Sequence, residues 1–190
     1  TTGSKEWKDK FTASCKEAVE VAKRTNAKWM TTVPGNFDRS LPMDIQTGNV
    51  IEGLRAGVDI LEKNNLITVL EPLSDTPNLF LRYSDQAYAI CKAINSPACK
   101  ILFDMYHLQK HEGNIINNIN RCWSEIAYFQ IGDNPGRNEP GSGEMNYRNI
   151  FKHINSKGYK GILGMEHGKV GAGKEGELAL VKAYREADNF

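Results

Sequence analysis

The strongest constraint on the fold is a regular alternation of short apolar runs with longer segments of helical period. The apolar runs predict strands at 28–33, 66–71, 100–104, 126–131 and 161–166. The periodic segments predict helices at 5–24, about 51–61, 84–94, 114–122, 147–155 and 175–187. Residues 36–48 carry Pro, Gly, Asn and Asp without a period and are predicted to form a long loop.

This alternation predicts right-handed βαβ units around a parallel sheet, because parallel neighbours need a long return connection. The fold class is therefore α/β, and no linker divides the chain, so residues 1–190 are expected to form one domain. A (β/α)8 TIM barrel needs eight strands in roughly 250 residues. About five βα units describe an incomplete barrel of this type, either a piece of a longer enzyme or a remnant that covers its open edges as a homo-oligomer.

Charge and composition exclude two classes of partner. The chain has 24 Lys and Arg against 23 Asp and Glu, a net charge of +1, so it lacks the excess of positive charge that is typical of a nucleic-acid-binding protein. Its apolar runs are far shorter than the roughly 20 residues of a membrane-spanning helix.

The cysteines at 15, 91, 99 and 122 form no C-x-x-C pair. They are predicted to be reduced and packed in or near the core, which favours a cytoplasmic location.

Four successive strands end in a polar side chain that can bind a metal ion or transfer a proton. These residues are Glu71, Asp104, Gln130 and Glu166, separated by 33, 26 and 36 residues, about one βα unit each. The carboxyl ends of barrel strands form the catalytic face, so the four are expected to converge there. Crowded carboxylates repel one another and lose hydration unless a cation neutralises them. The sequence thus predicts one divalent ion, and all-oxygen ligation favours Mg2+ or Mn2+.

The segments that carry these residues resemble the hydroxypyruvate isomerase family of the xylose isomerase-like TIM-barrel superfamily. The resemblance lies in Glu71-Pro72, Asp104-Met105-Tyr106-His107, the segment 130–144 and Gly164-Met165-Glu166, and it extends from about Ala27 to the C-terminus. Within 130–144, the Asp-Asn-Pro-Gly-Arg loop is the more specific part. By the family pattern, the absent strands are N-terminal, on the order of 100 residues.

The resemblance implies that Glu71, Asp104, Gln130 and Glu166 bind the metal, with Glu71 and Glu166 as the acid/base pair. His107 and Arg137 are implied next, as substrate-binding residues. Arg137 offers a planar fork for a substrate carboxylate, or else forms a loop salt bridge with Glu139 or Glu144. His107 contacts a substrate oxygen or a metal-ligating carboxylate, or else only packs at a helix start.

The implied activity is the isomerisation of a small hydroxy-carbonyl substrate, hydroxypyruvate to tartronate semialdehyde, through an enediolate. One alternative is a sugar or keto-sugar epimerase with the same metal site, for which loss of Arg137 changes little. The other is a catalytically silent, truncated module that binds a partner through its open sheet edge and is indifferent to Glu71→Gln.

Overall fold

All five apolar runs form strands of a single parallel sheet in the computed structural model, which describes residues 1–190. The strands are β1 (Trp29–Thr32), β2 (Ile67–Leu70), β3 (Cys99–Asp104), β4 (Ile126–Ile131) and β5 (Leu163–Met165), paired in chain order. The helices are α1 (Lys5–Thr25), α2 (Met43–Glu62), α3 (Ser84–Ile94), α4 (Met105–His111), α5 (Ile115–Cys122), α6 (Tyr147–Ser156) and α7 (Gly173–Ala187). The predicted α/β class and the five parallel strands are confirmed.

Alternate residues along the strands face opposite sides of the sheet, as the period of a strand requires. One side packs on the helices: in β3, Cys99, Ile101 and Phe103 belong to the main apolar core. All four cysteines are free and buried, as predicted. On the other side, Trp29 of β1 stacks on Tyr128 of β4, with ring centroids 5.0 Å apart. Because two strands separate β1 from β4, this contact requires the sheet to curl into a half-barrel.

The prediction that 36–48 is entirely loop was wrong, because α2 begins at Met43. Its first turn exposes Met43 and Ile45, so the sequence shows no apolar period there. Gln46 is fully buried instead, and its side-chain amide replaces the missing backbone partners of the preceding loop. Its Nε2 donates to the carbonyls of Asp38 (2.9 Å) and Leu41 (2.8 Å), and its Oε1 accepts from the amide of Asp38 (2.7 Å).

Helix α4 was also absent from the prediction. It follows β3 without a loop, and the carboxylate of Asp104 caps it by accepting a hydrogen bond from the amide of Tyr106 (2.8 Å). A strand that runs directly into a short helix gives no turn signal between them. The consequence is that Asp104 and His107 lie within one helical turn of each other at the carboxyl end of the sheet.

The outer strands β1 and β5 each have one unpaired edge. Large apolar side chains are exposed near β5, among them Ile162, Met165 and Val170. None of the helices combines the length and apolar character needed to cross a membrane.

Candidate metal and active site

The carboxyl ends of four strands bring Glu71, Asp104, Gln130 and Glu166 to one rim of the half-barrel. Asp104 closes β3 and is paired in register with Gln130 of β4, while Glu71 and Glu166 directly follow β2 and β5. Oxygen or nitrogen atoms of Glu71, Asp104 and His107 all lie within 4.8 Å of one another. Arg137 connects Asp104 to Glu166 through a single guanidinium nitrogen. The structure therefore brings Glu71, Asp104, His107, Arg137 and Glu166 together at this rim, with Gln130 on the strand position next to Asp104.

Burial changes the acidity of the two innermost carboxyl groups. Asp104 is 1% exposed and Glu71 7% exposed. Burial, together with the neighbouring charges of Asp104 and Glu166, raises the pKa of Glu71 to about 8. Burial also raises the pKa of Asp104 to about 6, although Arg137 and the amide of Tyr106 favour its ionised form. The site thus holds two buried carboxyl groups whose pKa values are raised toward neutral pH, and strongly shifted pKa values are common among catalytic acids and bases.

Gln130 provides the test of whether this cluster suits a metal ion. Its Oε1 is buried and has no hydrogen-bond partner in the protein. An unpartnered buried acceptor costs about 1–3 kcal/mol, so such atoms are rare in native structures. A cation at this position gives the orphaned oxygen a partner and compensates the adjacent carboxylates. The residues present therefore fit a divalent cation.

His107 is held as a neutral imidazole against the same cluster. Its Nδ1 accepts a hydrogen bond from the amide of Ser74 (3.2 Å) and lies 2.8 Å from the Ser74 hydroxyl. This places the ring proton on Nε2, which lies 3.6 Å from Asp104 Oδ2, beyond hydrogen-bond distance. Burial, with the charge of Arg137, lowers the pKa of His107 to about 4. The Nε2–H group is consequently left to donate into the site.

Arg137 lies across the carboxylates rather than along its own loop. Its Nη2 donates to Asp104 Oδ2 (3.1 Å) and Glu166 Oε2 (2.9 Å), and its Nε donates to the backbone oxygen of Glu166 (3.2 Å). The guanidinium also stacks over the ring of Tyr106, 4.8 Å from the centroid. The alternative prediction of a salt bridge with Glu139 or Glu144 was wrong.

Glu139 and Glu144 instead contact other segments. Glu139 accepts a hydrogen bond from the amide of Val170 (3.0 Å), and Glu144 accepts one from the side chain of Gln109 (3.3 Å). Glu139 therefore ties the loop to the segment after β5, whereas the side chain of Glu144 makes only an exposed surface contact, and neither takes part in the carboxylate cluster.

Asp133 is the organising residue that the sequence analysis did not single out. It is fully buried, and its two carboxylate oxygens accept four backbone hydrogen bonds. Oδ1 accepts from the amides of Asn134 and Met145, and Oδ2 accepts from those of Gly141 and Gly143, all at 2.8–3.0 Å. This network folds the segment 133–145 back on itself and presents Arg137 to the site. The available signal was an acidic residue just after a buried strand, at the start of a Gly-rich loop.

A family model described as "Xylose isomerase-like TIM barrel" matches residues 1–186, and the chain belongs to this family. The chain is 29% identical over 179 residues to hydroxypyruvate isomerase of Escherichia coli, covering 93% of this chain and 69% of that protein. It is 32% identical over 136 residues to 2-oxo-tetronate isomerase of Cupriavidus necator, covering 70% of this chain and 52% of that one. The chain therefore spans 52–69% of the length of these two relatives.

A solved structure shows the same fold. The crystal structure of a family 2 AP endonuclease from Brucella melitensis superposes with a TM-score of 0.86 at 24% identity, covering 96% of this chain and 71% of that chain. At this identity, the match concerns the fold alone, and it confirms the TIM-barrel architecture of the five strands.

Proposed function

We propose that this chain carries the active site of a metal-dependent isomerase that interconverts hydroxypyruvate and tartronate semialdehyde. The observation that carries the proposal is the pair of buried carboxyl groups of Glu71 and Asp104, whose oxygens lie within 4.8 Å of each other, together with the unpartnered Oε1 of Gln130, the strand partner of Asp104. Buried carboxylates and an unpartnered buried acceptor are costly without a cation. The relatives named hydroxypyruvate isomerase and 2-oxo-tetronate isomerase support the reaction class.

Glu71, Asp104, Gln130 and Glu166 would hold one divalent ion, with Mg2+ or Mn2+ matching their hard oxygen donors. When bound, such an ion supplies Lewis acidity for substrate oxygens and stabilises the negative charge of an enediolate.

The proton transfers belong to Glu71 and Glu166. One carboxylate takes a proton from C3 of hydroxypyruvate, and the electron pair of that C–H bond forms the C2–C3 double bond of an enediolate. The other carboxyl group returns a proton to C2, while the hydroxyl proton passes from O3 to O2. No atom is gained or lost, and the product is tartronate semialdehyde.

Two further side chains would orient the substrate. The Nε2–H of His107 faces the cluster and can donate to a substrate oxygen, because Ser74 already occupies Nδ1. Arg137 offers its guanidinium to the substrate carboxylate, a group that hydroxypyruvate has and a neutral ketose lacks. This difference separates the proposal from a sugar epimerase.

The test is hydroxypyruvate turnover by the chain after chelation and after re-addition of Mg2+ or Mn2+. We expect metal-restored turnover that is lost in Glu166→Gln and retained in Glu144→Gln, a control carboxylate that is exposed in the neighbouring loop. Metal-independent turnover, or turnover unaffected by Glu166→Gln, would refute the proposal. Turnover of a neutral ketose in place of hydroxypyruvate, insensitive to Arg137→Gln, would favour the epimerase.

A further inference from the structure

One nitrogen atom of Arg137 lies between two of the carboxylates that the proposed function assigns to the metal. Nη2 is 3.1 Å from Asp104 Oδ2 and 2.9 Å from Glu166 Oε2, so a single positive group bridges both. Asp104 is almost completely buried, whereas the Glu166 side chain is 49% exposed. The guanidinium is therefore the charge that compensates the buried carboxylate in the structure.

The backbone around Arg137 is built for this placement. Arg137 has a φ of 50°, a left-handed conformation that is uncommon for a residue with a side chain. Its amide donates to the carbonyl of Asp133 (2.7 Å), and its own carbonyl accepts from the amide of Gly168 (2.9 Å). Together with the contact to the Tyr106 ring, these bonds orient the guanidinium towards the carboxylates of Asp104 and Glu166 instead of towards solvent.

We infer that Arg137 is a resident counter-cation, which occupies the carboxylates of the metal-free site and must be displaced from them when a divalent ion binds. The inference rests on the proposed function. A metal ion held by Asp104 and Glu166 would lie close to the guanidinium that contacts Asp104 Oδ2 and Glu166 Oε2, and two cations so close together repel each other. Metal binding therefore breaks two charge-assisted hydrogen bonds, and it frees the guanidinium for the substrate carboxylate. The metal binds first, and the arginine is then available to the substrate.

The test is calorimetric titration of MnCl2 into metal-stripped protein, with the wild type compared to Arg137→Gln, Arg137→Lys and Arg148→Gln. Arg148 is an exposed arginine of α6 and serves as the charge-matched control. We expect Arg137→Gln to lower the Kd for Mn2+ by about tenfold or more, since the variant has no charge-assisted hydrogen bonds to break. Arg137→Lys should give an intermediate Kd because it keeps the charge, and Arg148→Gln should leave the Kd unchanged.

A second measurement uses the wild type and does not depend on any variant folding. In nitrogen-15 spectra, saturating Mg2+ should shift the Arg137 Nε–H signal and speed its exchange with water, because a guanidinium that leaves the two carboxylates also gives up the Nε bond to the backbone oxygen of Glu166 (3.2 Å). A Kd that is unchanged or raised in Arg137→Gln, or an Arg137 signal that is unaffected by Mg2+, would overturn the inference while leaving the metal site intact. If neither wild type nor Arg137→Gln bound metal, both the inference and the proposed function would fail.

Discussion

Replacing Asp133 by alanine tests whether this buried carboxylate holds the loop that carries Arg137. The change removes the acceptor of four backbone amides. The amides of Asn134 and Met145 are buried and stay unpaired, at about 1–3 kcal/mol each, whereas those of Gly141 and Gly143 can bind water. We therefore expect Asp133→Ala to lower the free energy of unfolding by about 2–6 kcal/mol.

The assay for this variant is urea denaturation combined with amide hydrogen exchange across 132–145. The matched control is Glu144→Ala, an exposed substitution in the same loop that should change stability by less than about 0.5 kcal/mol. If the loop opens locally, the amides of Asn134 and Met145 should lose their protection before the strands do. A loss below about 1 kcal/mol with unchanged protection of both amides would refute the reasoning.

Three other predictions concern the ionisation of Glu71, the packing of Gly164 in β5 against Tyr128, and the protonation state of His107. Because burial raises the pKa of Glu71 from 4.5 to about 8, its contribution to metal-free stability should be full below about pH 4.5, decline as the pH rises from there to about 8, and be lost above that. Unfolding midpoints should show this slope flattened in Glu71→Gln. Gly164→Ala should cost about 1–3 kcal/mol, because a Cβ there overlaps the hydroxyl of Tyr128. In denaturation measurements, Tyr128→Phe should recover part of that cost. Nitrogen-15 spectra of His107 should show a neutral ring protonated at Nε2 at pH 6, whereas titration near 6.5 would contradict its environment.

The strands were predictable because each is a short apolar run whose burial depends on few neighbours. The start of α2 at Met43 could not be predicted from the apolar pattern. The first turn of this helix is stabilised by a polar side chain, Gln46, which hydrogen-bonds to loop residues five and eight positions earlier. Pattern analysis detects an apolar face and does not detect a buried amide that replaces backbone partners.

The grouping of the candidate site followed from parallel topology alone, since equivalent strand ends meet at one rim. The partners of Arg137 did not follow. They lie 33 and 29 residues away, at the carboxyl ends of two different strands, and the loop presents the side chain only when the carboxylate of Asp133 has accepted its four backbone hydrogen bonds. Sequence separation of this size leaves the choice between Glu139, Glu144 and the strand ends undetermined until the loop is folded.

The most direct measurement of the central claim is a titration of Mn2+ into the metal-free wild type and Gln130→Leu, read by calorimetry. Leucine has a similar size and no oxygen, so the variant removes the orphaned Oε1 and leaves the three carboxylates in place. The account predicts one ion per chain in the wild type and clearly weaker binding in Gln130→Leu, with metal-free stability unchanged or raised by up to about 1–3 kcal/mol, because the unpartnered acceptor is gone. Equal affinity in both proteins, or no binding by the wild type, would contradict it.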